Sequence, residues 1–214
     1  MRGMTYEAMV ERPERRRDDL QAMGQSTLNM LRLTWEGFRR QDAGPLQAAE
    51  ALGRQIHQQG KRLTAWAVRQ PVGQARLPVR DLEILFVLRR LKRIRAMIEV
   101  LIRAITAMVQ DGIPFTERAM RELSTLYNTA IALLKCLQEG LLTKDPSLLA
   151  HILEEGRQSL ERANRDVLKH EQRLIEGVCL PKASVLFVTM LDALEEIEWQ
   201  IRAIAEHLST APAS

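Results

Sequence analysis

The sequence predicts an all-α protein built as two tandem, pseudo-symmetric three-helix bundles, and three observations carry that reading. Hydrophobic residues reach 46% of the 214 while aromatics stay at 4%. Leu, Ala, Arg, Gln and Glu dominate and β-branched runs are scarce, a balance that favours helix over sheet. Proline, glycine and aspartate cut the chain into six segments whose apolar residues recur every three to four positions, as on a helix face. Displaced by 103 residues, the chain falls on itself without a gap, the signature of a duplicated unit.

The first helix is expected from about Arg16 to Arg40, with Leu20, Met23, Thr27, Met30, Leu31, Thr34 and Phe38 on one stripe, and it ends in QDAG. Pro45 then opens the second, whose stripe is Leu46, Ala49, Leu52, Ile56 and Leu63; proline suits a first helical turn because the N–H it lacks has no partner there. PVGQARLPV, Pro71 to Val79, reads as a linker. The third helix, about Arg80 to Gln110, sets Ile84, Leu88, Leu91, Ile94, Ile98, Leu101, Ile105 and Met108 on a heptad-like seam, and DGIP stops it. Three more helices are expected at about Phe115 to Leu142, Pro146 to Glu176 and Ser184 to Leu208, with Ser184 as N-cap of the last.

The self-match covers core and turns alike. Leu20 falls on Leu123, Met23 on Leu126, Met30 on Leu133, Leu31 on Leu134 and Phe38 on Leu141; Asp42 falls on Asp145, Gly53-Arg54-Gln55 on Gly156-Arg157-Gln158, and Leu77-Pro78 on Leu180-Pro181. The third-helix seam lands on Phe187, Leu191, Leu194, Ile197, Ile201, Ile204 and Leu208. Amphipathic helices match each other by chance in apolar positions, but not in turn residues. The organisation expected is an N-terminal segment over 1–15, repeats over 16–112 and 113–208, and a disordered tail over 209–214.

Several chemistries find no support. Cys136 and Cys179 lie far apart without CxxC spacing, which speaks against a disulfide framework or a zinc site and fits a reducing compartment. The start MRGMTYEAMVERPERRRDD has no apolar core of a signal peptide, and no segment reaches eighteen uncharged apolar residues, so the chain is expected in the cytoplasm with no membrane span of its own. His57, His151, His170 and His207 are scattered, in surface or hairpin-end positions. Ser26, Ser124, Ser147, Ser159 and Ser184 lack a nucleophile-elbow setting. Cys136 beside Lys135 reads as a packed thiol, and Trp35 and Trp66 as core or hairpin packing. No enzyme and no cofactor is expected. Net charge is +4, but basic and acidic residues interleave. The basic run RRLKRIR, Arg89 to Arg95, lacks the interleaved aromatics of a nucleic-acid surface; a solvated face, a protein contact and a bound anion remain open for it.

Two features together resemble the PhoU family: the tandem three-helix repeat with an aspartate at the first hairpin turn of each, and the opening DLQAMG with FRRQD at its end. Glu195-Glu196-Ile197 and Ile204-Ala205-Glu206 keep the frame of the acidic closing-helix motif of that family. The likeness spans about Arg16 to Leu208. It implies a non-catalytic helical regulator of phosphate uptake acting by contact with a phosphate-transporter component, a sensor histidine kinase, or both. An accessory or gating domain of a sodium/phosphate cotransporter is the alternative, with a helical nucleic-acid-binding protein more remote; homo-oligomerisation is left open. Some members hold iron or zinc through E-x-x-x-D pairs on the third helix of each repeat. Here those positions are Lys92 and Ala96, then Glu195 and Trp199, so no metal ligand is assigned.

One further regularity concerns charge. Under the same shift Arg89 falls on Asp192, Lys92 on Glu195, Arg93 on Glu196 and Arg95 on Glu198, so four matches in a row change sign. These eight residues are the candidate interaction surface. Either the faces meet across a pseudo-twofold axis, with charge attraction in place of a bridging metal, or they point to separate solvent and orient a partner protein.

Overall fold

A computed structural model describes residues 13–68, 79–178 and 180–210. They form six α-helices: α1 (Pro13–Arg40), α2 (Ala43–Val68), α3 (Val79–Gln110), α4 (Glu117–Thr143), α5 (Pro146–Ile175) and α6 (Pro181–Thr210). There is no strand among the described residues. The expected N-terminal segment up to residue 12, the linker positions 71–78 with Leu77-Pro78, Cys179 and the tail from 211 lie outside them. The other boundaries differ from the expected ones by a few residues, with physical reasons. Helix α2 starts at Ala43, which leaves Pro45 still within the turn whose N–H groups have no intrahelical partner. Helix α6 starts at Pro181, so Ser184 is not its N-cap: the Ser184 backbone N–H (2.9 Å) and hydroxyl (3.1 Å) both donate to the Leu180 carbonyl inside the first turn. The helix also runs on to Thr210, so residues 209 and 210 are helical rather than part of a tail.

The duplication is written in the backbone. Gln41 and Lys144, one repeat apart, both take φ of 52°, a left-handed conformation that closes a helix at little cost in one residue. The next residue in each repeat is an aspartate that caps the following helix. Asp42 accepts from the Gly44 N–H at 2.9 Å, and Asp145 from the Ser147 N–H at 2.8 Å. The paired glycines are equivalent in space as well. A Cβ on Gly53 would lie 3.6 Å from the Glu99 carboxylate, and one on Gly156 would lie 2.5 Å from Arg202 Cδ; Glu99 and Arg202 are themselves repeat equivalents. At Gly156 the crowding side chain belongs to α6, whereas at Gly53 it is Met30 of α1, 2.8 Å away, that leaves no room for a side chain.

Packing joins the two units into one core. Among the described residues α2 packs on α1 and α3, and α5 on α4 and α6, while α1 meets α4 and α3 meets α6. The helices α1, α3, α6 and α4 therefore close a central ring of four, with α2 and α5 laid in its outer grooves. Seam residues of α3 and α6 are buried in matching fashion: Leu91, Ile94, Ile98 and Leu101 are fully buried, as are Leu194, Ile197, Ile201 and Ile204. Thr27 and Thr34 occupy the α1 stripe without cost from unpaired hydroxyls, since each donates at 2.8 Å to the carbonyl one turn back, of Met23 and Met30 respectively.

Along the α1–α4 contact one position is solved in two ways. Trp35 stacks on Tyr127 with centroids 5.1 Å apart, and Phe38 lies 5.7 Å from the same ring. The equivalents of Trp35 and Tyr127 are Gln138 and Gly24, and a Cβ on Gly24 would sit 2.5 Å from the Gln138 amide. A pair of large rings and a glycine with a long amide thus fill the two symmetric gaps. The Tyr127 hydroxyl is buried without a hydrogen-bond partner among the described residues. Tyr127→Phe keeps the stack and removes that group. Its expected effect is a gain of about 1 kcal/mol in unfolding free energy, from the midpoint of urea denaturation; a loss of similar size would show that the hydroxyl has a partner.

A candidate interaction face along α3 and α6

Of the four charge-inverted matches, the structure brings one into contact. Arg93 Nε donates to Glu196 Oε1 at 2.8 Å, and the two stand 103 residues apart in sequence. A residue touching its own equivalent lies at a twofold axis, as in an isologous dimer interface. Gln200 Nε2 donates to the same Glu196 oxygen at 2.9 Å, and Arg90 donates to Gln200 Oε1 at 3.0 Å. The Arg90 guanidinium lies 4.8 Å over the Phe86 ring and 5.0 Å over that of Trp199, within cation–π range. Phe86 in turn stacks on His207 at 4.1 Å. Burial alone would raise the Glu196 carboxyl, but the hydrogen bonds from Arg93 and Gln200 and the charges of Arg93 and Arg90 hold it below its ordinary value.

The other matches turn away from each other, because neighbouring helix positions point about 100° apart. Arg89 and Asp192 are both exposed. Lys92 reaches back to α2, where its ammonium lies 3.4 Å from the Thr64 hydroxyl and its stem runs over Gly60. Arg95 pairs with Glu99 on its own helix. In the second repeat the equivalent positions carry the exchanged charges Glu198 and Arg202, but Glu198 turns to Ser159 instead. Glu198 is only 3% exposed and accepts from the Ser159 hydroxyl at 3.1 Å. Burial pushes its carboxyl to about 8, against the pull of Ser159 and Arg162 and with a further push from Glu195 and Glu155. Glu195 is half-buried, with one oxygen that has no partner among the described residues; burial and then the Asp192 charge raise it.

Sequence reasoning missed Arg90, Trp199 and Gln200, which join the two helices at this seam. Arg90 stood inside the basic run, but its equivalent is Ala193, and the change from large to small was the available signal. It also placed the histidines at the surface or at hairpin ends. His170 does stand near the end of α5, yet it is 3% exposed, on the buried stripe of Leu149, Ile152, Gly156, Ser159 and Ala163. The Cys136 thiol is pushed up by burial and by Glu139, the opposite of an activated nucleophile.

The positions at which PhoU-type carboxylates would bridge a metal do not fit one. A lysine held by Thr64, an alanine, one glutamate and the half-exposed Trp199 offer a single carboxylate. Among the described residues no group of three or more His, Cys, Asp or Glu side chains is arranged to hold an ion.

No protein-family sequence model matches the chain, and no curated protein does. Its structure is similar to the crystal structure of PhoU from Pseudomonas aeruginosa, with a TM-score of 0.81 over 95% of this chain and 97% of that one at 18% identity. The fold is PhoU-like. The two chains thus share a fold over nearly their whole length at 18% sequence identity.

Two outcomes follow from the charges at this face. The folded-state pKa of Glu198, about 8, stands above its ordinary 4.5, so folding takes up a proton between those values and stability falls as pH rises from about 5 to about 8. Glu198→Gln is expected to remove most of that slope and to be more stable than the parent at pH 8 by an amount on the order of a few kcal/mol; an unchanged slope in a pH series of denaturation curves would contradict the assignment. The protein purified without chelator is expected to carry no stoichiometric transition metal. Elemental analysis showing one iron or zinc per chain, lost on Glu195→Ala, would mean that other acids such as Asp192 and Glu198 complete a site around Glu195 in place of the missing motif carboxylates.

Proposed function

We propose that the protein is a non-catalytic cytoplasmic regulator of phosphate transport and phosphate-dependent signalling, working by contact with a phosphate-transporter component, a sensor histidine kinase, or both. The observation that carries this reading is the likeness to PhoU over nearly the full length of both chains. The chemistry of the described residues agrees with it. The one free thiol described has a raised pKa; of the α6 acids Glu196 is ion-paired and Glu198 buried. No described helix is long and apolar enough to cross a membrane, so coupling to a transporter would run through a protein surface.

The α3–α6 face has the features of such a surface. Arg89 and Asp192 are exposed on it with opposite sign, and Trp199 is 48% exposed beside Arg90. Indole and guanidinium groups are the side chains that most often anchor protein contacts, and separated patches of opposite charge orient an approaching partner. Affinity capture from the native host, with bound proteins identified, tests the reading. A transporter ATPase or a histidine kinase is expected, with recovery reduced at least tenfold by Trp199→Ala together with Arg89→Glu. Recovery of a sodium/phosphate permease instead would assign the chain to a cotransporter, and recovery of nucleic acid released by moderate salt would overturn both.

A further inference from the structure

The outer face of the α3–α6 pair carries two rows of residues at heptad spacing. On α3 the row is Leu82, Arg89, Ala96 and Arg103; on α6 it is Val185, Asp192, Trp199 and Glu206, each the repeat equivalent of its counterpart. Positions seven apart on a helix share one side of it, so each row is a line of side chains pointing the same way. Ala96 is half-buried and the other seven are exposed, Leu82 at 51%, Val185 at 66% and Trp199 at 48%. The charged members of the α3 row are both arginines, and those of the α6 row are both acids. Arg103 and Glu206 thus carry the inversion of Arg89 to Asp192 two heptads further along the face.

The two helices run antiparallel: Phe86 meets His207, Arg90 meets Gln200 and Arg93 meets Glu196. The pseudo-twofold axis therefore passes between Arg93 and Glu196, perpendicular to the face, and lays a basic row beside an acidic one. Among the described residues the side chains of Arg89, Arg103, Asp192 and Glu206 are in no ion pair, so their charges are open to a partner. Such a face is complementary to itself. A second copy, turned over about an axis along the groove between α3 and α6, brings its α3 onto α6 of the first and its α6 onto α3, an isologous contact. Basic row meets acidic row twice, and the two Arg93–Glu196 pairs meet at the centre with charges alternating. A duplication that kept like charge on both rows would repel in the same approach.

From Leu82 to Arg103 the face is about 30 Å long and, two helices across, about 20 Å wide. Covering it on both copies buries about 1,200 Å², the lower end of the range for stable interfaces. We propose that the α3–α6 face is a homodimer interface, in which Arg89 and Arg103 of each copy lie on the acidic row of the other. Trp199 is its apolar anchor, with Leu82 and Val185 at the two ends of the rows. This inference goes beyond the regulatory reading and does not rest on it; a dimer of this form covers the surface that the regulatory reading offers to a transporter component or a kinase.

Sedimentation equilibrium of the purified full chain tests the proposal with no other protein present, so its failure leaves the regulatory reading standing. The parent is expected to be dimeric at about 100 μM protein in about 0.05 M salt, with a dissociation constant about tenfold higher in about 0.5 M salt, where charges are screened over shorter distances. Arg89→Glu with Arg103→Glu makes both rows acidic, and Asp192→Arg with Glu206→Arg makes both basic. Each double variant is expected to be monomeric alone, with the circular dichroism of the parent. Mixed in equal amounts, the two are expected to associate as a heterodimer, because each row again meets its opposite. Should a reversed row fail to fold, Arg89→Gln with Arg103→Gln removes the charge alone and is expected to raise the dissociation constant about tenfold. A parent that stays monomeric, a dimer that the reversed or neutralised rows leave intact, or folded reversed variants that do not associate on mixing would each overturn the proposal.

Discussion

The apolar seam between α3 and α6 is the constraint on which the rest of the structure depends. Each helix is buried on two sides, against its own repeat and against the other, so few positions are left for polar residues. The basic run Arg89 to Arg95 sits in the middle of this seam, interrupted by Leu91 and Ile94, which are fully buried. Its charges can leave the core only sideways. Arg93 and Arg90 go to the rim shared with α6, Lys92 and Arg95 go towards α2 and Glu99, and Arg89 goes to solvent. The ion pair at the rim is partly exposed and contributes about 0–1 kcal/mol. What it fixes is register, because it joins a residue to its own equivalent.

The duplication separates what the backbone requires from what side chains can exchange. Left-handed Gln41 and Lys144, the capping aspartates and the close-packed glycines recur because each answers a geometric demand of the three-helix unit. Fillings differ where a complementary pair can replace another, as Trp35 with Tyr127 is replaced by Gln138 with Gly24.

Six helices, their seam and the repeat were legible in the sequence because a period near 3.6 and a fixed offset are linear properties. Seam positions such as Ile94 and Ile197 were read correctly since burial alternates with that period. The directions of Lys92, Arg95 and Glu198 were not, because a single step along a helix separates one neighbour from another by about 100°. Residue preference alone makes Ser184 a cap, whereas Pro181 already sits in the first turn and leaves the serine inside it. His170 was legible in principle, by extending the α5 stripe from Leu149 through Ala163. Arg90 on Trp199 was not, being a contact between helices that share no local signal.

The central claim is that the two repeats form one cooperative core through α1–α4 and α3–α6. Native-state hydrogen exchange tests it most directly, because amides that open only on global unfolding share one free energy. The backbone N–H groups of Leu91, Ile94 and Ile98 are expected to exchange with the same free energy and the same denaturant dependence as those of Leu194, Ile197 and Ile201. Two sets of values, with one repeat opening well before the other, would show that the halves are separate folding units and that the seam does not hold them together.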